Sequence, residues 1–162
     1  MNTAESHAPI TDLVTLAYRG AKAVQTGFRA PTDDWQPILF FTTAEGRPHI
    51  IAAPHTDHQK QATADAITAL LKRSHAVEAL WLSSAWEVVP EATDTDLSDI
   101  RPARDPRRRE TLVLVHVGID FAAVHRAPIE RHRECGPTLG ELTESDCYID
   151  GLMSTALRRG IG

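Results

Sequence analysis

Two arginines at the end of a long polar loop are the side chains best suited to binding chemistry. The loop covers residues 90–109, between two apolar segments, and Arg107 and Arg109 stand in its basic half. Guanidinium groups match the geometry of phosphate and carboxylate, so this pair predicts an anion-binding site. The alternative is that the arginines neutralise the acidic half of the same loop, which contains Asp94, Asp96 and Asp99.

The residues on either side of this loop add a second candidate surface. Trp86 and Glu87 lie near the end of the apolar segment before it, and Glu110 opens the apolar segment after it. If these segments pair as antiparallel strands, Glu87 lies near the Arg107–Arg109 end, where opposite charges across strands attract each other. We predict that Trp86, Glu87 and Glu110 contact a partner.

Histidines near the middle of the chain suggest a metal site. His55 and His58 are three residues apart, with Asp57 between them, at the start of a predicted helix. Imidazole and carboxylate groups are common ligands of divalent metals, so these three residues are a candidate set. A polar helix start explains the same residues without a metal. A weaker zinc-capable set consists of His132, Cys135 and Cys147.

Composition argues against several classes of function. The chain has 162 residues and a formal net charge of -5, whereas duplex nucleic-acid binders usually show a basic surplus. The sequence contains no glycine-rich phosphate loop, no dinucleotide fingerprint and no nucleophile elbow. No segment approaches the ~20 apolar residues of a membrane span, and Met1 to His7 lack the apolar core of a signal peptide. We therefore expect a soluble, cytoplasmic protein that binds neither nucleic acid nor membrane.

Three segments have the spacing of helices. Apolar residues from Leu13 to Val24 form one stripe after Thr11, a predicted N-cap. Thr56 and Gln59 have the spacing of a capping box, and a helix is predicted from there to about Arg73. The last helix is predicted from about Asp146, on a stripe of Ile149, Leu152, Met153, Ala156 and Leu157.

Short apolar and β-branched runs predict five strands, two of them in a hairpin before the second helix and three after it. The element order is therefore α-β-β-α-β-β-β-α. Hairpins joined through a helix predict an α+β fold with a mostly antiparallel five-stranded sheet flanked by helices. Roadblock and longin-like domains share this element order. We expect a flexible tail over residues 1–10 and a single domain over residues 11–162.

The central segment resembles a pattern found in uncharacterised bacterial and phage proteins. In that pattern, a strand with Ser-x-Ala-Trp is followed by Pro-x-Arg-x-Glu and later by Ile-x-Arg. Here the three pieces are Ser83-Ser84-Ala85-Trp86, Pro106-Arg107-Arg108-Arg109-Glu110 and Ile129-Glu130-Arg131. The variable position of the first piece is often Glu in such proteins, whereas this chain has Ser84. The resemblance implies an architecture and brings no known activity.

Two functions fit these observations. The first is a non-enzymatic binding or adaptor protein of phage or mobile-element type, acting through protein contacts as a homo-oligomer or with another protein. A free edge of the antiparallel sheet would serve such pairing. The alternative is a small hydrolase or nucleotide-handling enzyme, with its site where the 90–109 loop meets His55, Asp57 and His58. We expect no cofactor under the first function and a divalent metal as a candidate under the second.

Overall fold

The computed structural model describes residues 12–94, 96, 100–146 and 151–162. Within these residues, three helices cover an antiparallel sheet, as expected for an α+β fold. They are α1 (Leu13–Gln25), α2 (Lys60–Arg73) and α3 (Leu152–Gly160). None of the helices in the described ranges is long and apolar enough to cross a membrane. The predicted tail, residues 1–10, lies outside the described residues.

The strands follow one another in an up-and-down arrangement with one crossover. In chain order they are β1 (Ile38–Thr43), β2 (Pro48–Ala52), β3 (Ala76–Glu87), β4 (Arg109–Gly118), β5 (Ala122–Glu130), β6 (Thr138–Leu139) and β7 (Thr143–Ser145). Across the sheet the order is β2-β1-β3-β4-β5-β6, and β7 also pairs with β5. Helix α2 connects β2 at one edge to β3 in the middle.

The predicted count of five strands is wrong for the described residues, where the sheet has seven. Strands β1 to β5 correspond to the predicted five. The sequence pattern predicts neither β6 nor β7, because each is too short to show an alternating pattern.

The centre of the sheet is buried on both faces. Alternate residues of β3 and β4 point to opposite sides, so Trp81 and Val115 pack under α2 and α3, while Leu80 and Leu114 pack under α1. This explains why Ala79–Leu82 of β3 and Leu112–Val115 of β4 are continuous apolar runs instead of alternating with polar residues. They form the centre of the molecule.

Local signals determine where the helices begin. Asp12 caps α1 by accepting a hydrogen bond from the Thr15 N–H at 2.8 Å, whereas the predicted cap, Thr11, lies outside the described residues. Before α2, the Gln59 side chain accepts from the Thr56 N–H, as the capping box predicts. The last helix is described from Leu152 and not from Asp146, which follows β7 in a bend.

Candidate functional site

The 90–109 loop uses Arg107 to hold its own acidic residues. The Arg107 guanidinium donates to both carboxylate oxygens of Asp105, at 3.1 and 2.8 Å, and its Nη1 donates to Asp94 at 2.9 Å. These hydrogen bonds hold the pKa of Asp94 and of Asp105 below the usual 3.8 and raise the pKa of Arg107. The geometry favours the alternative in which this arginine neutralises the loop, because its donors already have carboxylate partners.

Arg109 lies where the sequence predicted, opposite Glu87 on the neighbouring strand. The Glu87 carboxylate nevertheless bonds to Arg126 on β5, whose Nε lies 2.8 Å away. Arg109 itself is exposed. Arg107 and Arg109 therefore differ in their surroundings, and an anion site made of the two together stays a prediction.

The predicted partner residues are drawn into contacts within the chain. Glu110 forms a two-point ion pair with Arg131, with Nε to Oε2 at 2.8 Å. The guanidinium of Arg108 lies 4.5 Å from the ring centre of Trp86. Residue Trp86 nevertheless remains 44% exposed. Of the three predicted residues, Trp86 is the one that retains a large accessible surface.

The three motif pieces meet at this end of the sheet. Trp86 from the first piece contacts Arg108 of the second, and Glu110 of the second binds Arg131 of the third. Arg131 also lies 3.4 Å from Asp34, which accepts a hydrogen bond from Ser84 at 3.0 Å. The separate sequence pieces thus form one contact network, and Ser84 occupies its polar edge.

The histidine segment lines a cavity of about 350 Å³ between the sheet, the start of α2 and the start of α3. His55, Asp57, Lys60 and Ser83 belong to its wall, whereas His58 does not. His55 Nδ1 lies 2.9 Å from the Ala53 carbonyl oxygen. This bond places the proton on Nδ1 and leaves Nε2 as an acceptor in the neutral ring.

The predicted metal set is not assembled in this cavity. Across the parts of the chain that the structure describes, no three His, Cys, Asp or Glu side chains come close enough together to hold a metal ion. The described lining also contains no residue of the 90–109 loop, so the predicted meeting of loop and histidines is not observed. Cys135 is a free, exposed thiol, and Cys147 lies outside the described residues.

The outermost strand, β2, is the feature that sequence reasoning did not single out. It pairs with β1 on one side, and within the described residues no strand pairs on its other side. All five of its residues are exposed, including Ile50 at 57% and Ile51 at 38%. None of its side chains is Asp, Glu, Lys or Arg. An open edge with exposed isoleucines and no charge is a typical site for pairing with another chain.

Apolar grooves lie beside β2 on both faces of the sheet. On the α2 face, a groove of about 280 Å³ is lined by Ile51, Ala53, Ala66 and Leu70, among others. On the α1 face, a groove of about 480 Å³ is lined by Leu13, Leu16 and Pro48, and its wall also contains the carboxylates of Asp12 and Glu78. A partner strand on β2 would therefore find apolar surface above and below the sheet. The signal in the sequence was the uncharged run from Pro48 to Pro54.

No family model, no curated protein and no solved structure matches this chain. The resemblance of the Ser83–Trp86, Pro106–Glu110 and Ile129–Arg131 pieces to uncharacterised proteins stays a prediction. The function is therefore inferred from the geometry of the β2 edge and of the cavity.

Proposed function

We propose that this protein is a non-enzymatic binding protein that acts through protein–protein contacts, with the outer side of β2 as the contact surface. The observation that carries the proposal is the combination of an edge strand that is unpaired among the described residues and exposed throughout. The lack of charged side chains on β2 is the second part of that observation, since edge strands that do not pair with another chain are usually protected by charged side chains. A roadblock or longin-like fold stays a prediction, and it concerns the fold alone.

Strand addition suits this surface for two physical reasons. Backbone N–H and C=O groups along an open edge provide affinity when another strand pairs with them. Ile50 and Ile51 project to opposite faces of the sheet, so a partner strand would cover both of them at once. Burial of this apolar surface stabilises the complex at about 25 cal/mol per Å² before the costs of association are subtracted.

Photocrosslinking from the edge tests the proposal. A benzophenone amino acid replaces Ile50 in one version of the protein and Ile119 in another, both produced in the native cells. Ile119 is a matched control because it is 64% exposed and lies in the turn after β4, away from β2. We expect discrete protein adducts from position 50 and none from position 119. The same adducts from both positions, or none from position 50, would contradict the proposal.

A second candidate function is the small hydrolase or nucleotide-handling enzyme, and the cavity is the observation that favours it. His55 has an unprotonated Nε2 in its neutral form, and Lys60 and Ser83 share the same wall. A cation, a base and a hydroxyl in one cavity suit a phosphate-containing ligand.

Thermal unfolding with and without inorganic phosphate tests this second candidate. A ligand that binds only the folded state raises Tm. We expect phosphate to raise the Tm of the wild type and of His58→Ala, because His58 lies outside the cavity wall, and to leave the Tm of His55→Ala unchanged. A wild-type Tm that does not respond to phosphate would remove the support for an anionic ligand in this cavity.

A further inference from the structure

We infer that the partner on β2 is a second copy of this chain, paired antiparallel about a two-fold axis that passes through Ile51. The inference rests on the proposed function, because it names the partner for the same surface. It follows from the direction of the backbone groups along β2, from the two prolines that bound the strand and from the apolar grooves on either side of it.

The backbone direction comes from the pairing of β2 with β1. The Ala53 N–H donates to the Pro37 carbonyl at 2.8 Å, and the same register places Ile51 opposite Leu39. In an antiparallel pair, residues that exchange hydrogen bonds alternate with residues that do not. Ile51 therefore bonds inward to β1, whereas Ile50 and Ala52 direct their N–H and C=O groups outward.

Two prolines limit the segment that a partner strand can pair with. Pro48 and Pro54 bound β2, and neither has an N–H group. Between them, the outward N–H and C=O groups belong to Ile50 and Ala52. Each of these two residues offers one donor and one acceptor to the edge.

A two-fold axis through Ile51 makes this edge complementary to itself. Ile50 then stands opposite the partner's Ala52, and each donates its N–H to the carbonyl of the other. Pro48 stands opposite the partner's Pro54, where pairing ends because neither residue can donate. Every outward group between the prolines is paired, on both copies. A two-fold axis through Ile50 would instead place Pro48 opposite the partner's Ala52 and leave that Ala52 carbonyl without a donor.

The side chains agree with this register. Ile51 meets the partner's Ile51 on the face that carries α2, and Ile50 covers the partner's Ala52 on the face that carries α1. The strand has no acidic or basic side chain other than His49, whose ring stacks on Phe41 at 4.7 Å. No like charges are therefore brought together by the symmetry, which is a condition for contact between identical surfaces.

The grooves extend the contact beyond the two strands. The axis is perpendicular to the sheet, so the α2 helices of both copies lie on one face, on either side of the axis. The groove on that face is lined by Thr63, Ala66 and Leu70 of α2, together with Ile51. Small side chains at Thr63 and Ala66 allow the symmetry-related grooves to approach closely. Stable dimers need such additional area, because a strand pair alone is a small interface.

Analytical ultracentrifugation over two decades of protein concentration tests the inference. We expect a reversible dimer of twice the 17.8 kDa chain mass. Ile50→Lys places a charge in the paired edge and should remain a monomer, whereas Ile119→Lys should dimerise like the wild type. Circular dichroism confirms that both variants are folded. A wild-type chain that stays monomeric over the whole range would overturn the inference.

Disulfide trapping tests the position of the axis. In a background of Cys135→Ser and Cys147→Ser, Ile51→Cys should give a disulfide-linked dimer under mild oxidation, because residues opposite each other in a non-hydrogen-bonded pair lie within disulfide range. His49→Cys is the control, since it stands opposite the partner's Ala53. Faster linkage through Ile50→Cys than through Ile51→Cys would overturn the register.

These results separate the failure of the inference from the failure of the proposed function. A monomeric chain whose position 50 still crosslinks to a different protein would overturn the second copy as partner and leave the binding function standing. A monomeric chain with no adduct at position 50 would overturn both. Amide exchange adds an independent readout: protection of the Ile50 and Ala52 amides should increase with protein concentration, and protection that does not depend on concentration would overturn the inference.

Discussion

The two edges of the sheet are built in opposite ways. At one edge, β5 is covered by β6 and β7, so the chain pairs this edge with its own short strands. At the other edge, nothing in the described residues pairs with the outer side of β2. Within the described residues, the chain therefore covers one edge with its own short strands and leaves the other edge open. We propose that the outer side of β2 is the edge that pairs with a partner.

The two edges also differ in their charges. The β5 side carries Arg126 and Arg131, which form ion pairs with Glu87 at the end of β3 and with Glu110 of β4. Strand β2 has no Asp, Glu, Lys or Arg. These two arginines are thus matched within the chain, whereas β2 presents backbone groups and isoleucines.

The largest effect is expected at Gly136, just before β6, where the chain packs against Phe28 after the end of α1. In Gly136→Val, the Cβ would lie 2.5 Å from the Phe28 Cβ and 2.9 Å from the Phe28 carbonyl carbon. This overlap should lower the free energy of unfolding by about 3 kcal/mol, as overpacking of a tight contact does. Urea unfolding measures the change.

Gly20→Ala is the control, because its Cβ has open space, and its free energy of unfolding should rise by about 0.5–1 kcal/mol. Equal stability of Gly136→Val and the wild type would show that the chain at Gly136 packs loosely against Phe28.

The ion pair at the covered edge should have the next largest effect. Arg131→Ala leaves Glu110 without its partner and also removes hydrogen bonds to the Pro31 and Asp33 carbonyls. We expect a loss of about 2 kcal/mol, typical of hydrogen bonds to charged groups. The measurement is urea unfolding at neutral pH. Arg133→Ala, at an exposed position two residues further on, should change stability by less than about 0.5 kcal/mol.

Proline substitution distinguishes the inner and outer sides of β2. Ile51→Pro removes an N–H that bonds to β1, whereas Ile50→Pro removes one that points outward. At concentrations low enough for a monomer, Ile51→Pro should be less stable than Ile50→Pro by about 1 kcal/mol, the net value of one hydrogen bond. Thermal unfolding measures both. Equal losses would mean that the assignment of inward and outward groups along β2 is wrong.

The smallest effect is expected from a histidine at the covered edge. His125 stands opposite Glu144 of β7. Burial lowers the pKa of His125, with a further lowering from His116 and opposing contributions from Glu144 and Asp12. Because the folded-state pKa of His125 is below the unfolded value of 6.5, the unfolded chain binds this proton more readily than the folded protein. The stability that depends on a neutral His125 is therefore present above pH 6.5 and is lost as pH falls below it.

The pH dependence of Tm tests this assignment. Between pH 7 and the acid side of 6.5, the Tm of His125→Gln should fall less than that of the wild type. His58→Gln is the control, because His58 is exposed and lies far along the chain at the start of α2. A wild-type Tm that follows the same curve as His125→Gln would show that this histidine does not titrate differently in the folded state.

Much of the fold was predictable because its signals are local. The capping box at Thr56 and Gln59 precedes α2 as expected, and the apolar spacing after Leu13 produces α1. Glu87 and Arg109 lie opposite each other, as the antiparallel pairing of the two long apolar segments predicted. Each of these features depends on residues within a few positions of one another or on the pairing of two strong strands.

The candidate site was less predictable because it depends on residues that are distant in the sequence. Strands β6 and β7 are too short for a periodic signal. The choice of Asp94 and Asp105 as partners of Arg107 depends on the path of the loop. Likewise, His55 enters the cavity wall and His58 does not, although they are only three residues apart, because the turn before α2 points them in different directions.

The sequence by itself determined the helices α1 and α2 and the strands β1 to β5, because periodicity and capping act over a few residues. It also determined that the run from Pro48 to Pro54 carries no acidic or basic side chain apart from His49. Only the tertiary structure decided that this run lies at the edge of the sheet while β5 is covered. Strand order is a property of the whole packed chain, since it depends on which apolar faces are buried together.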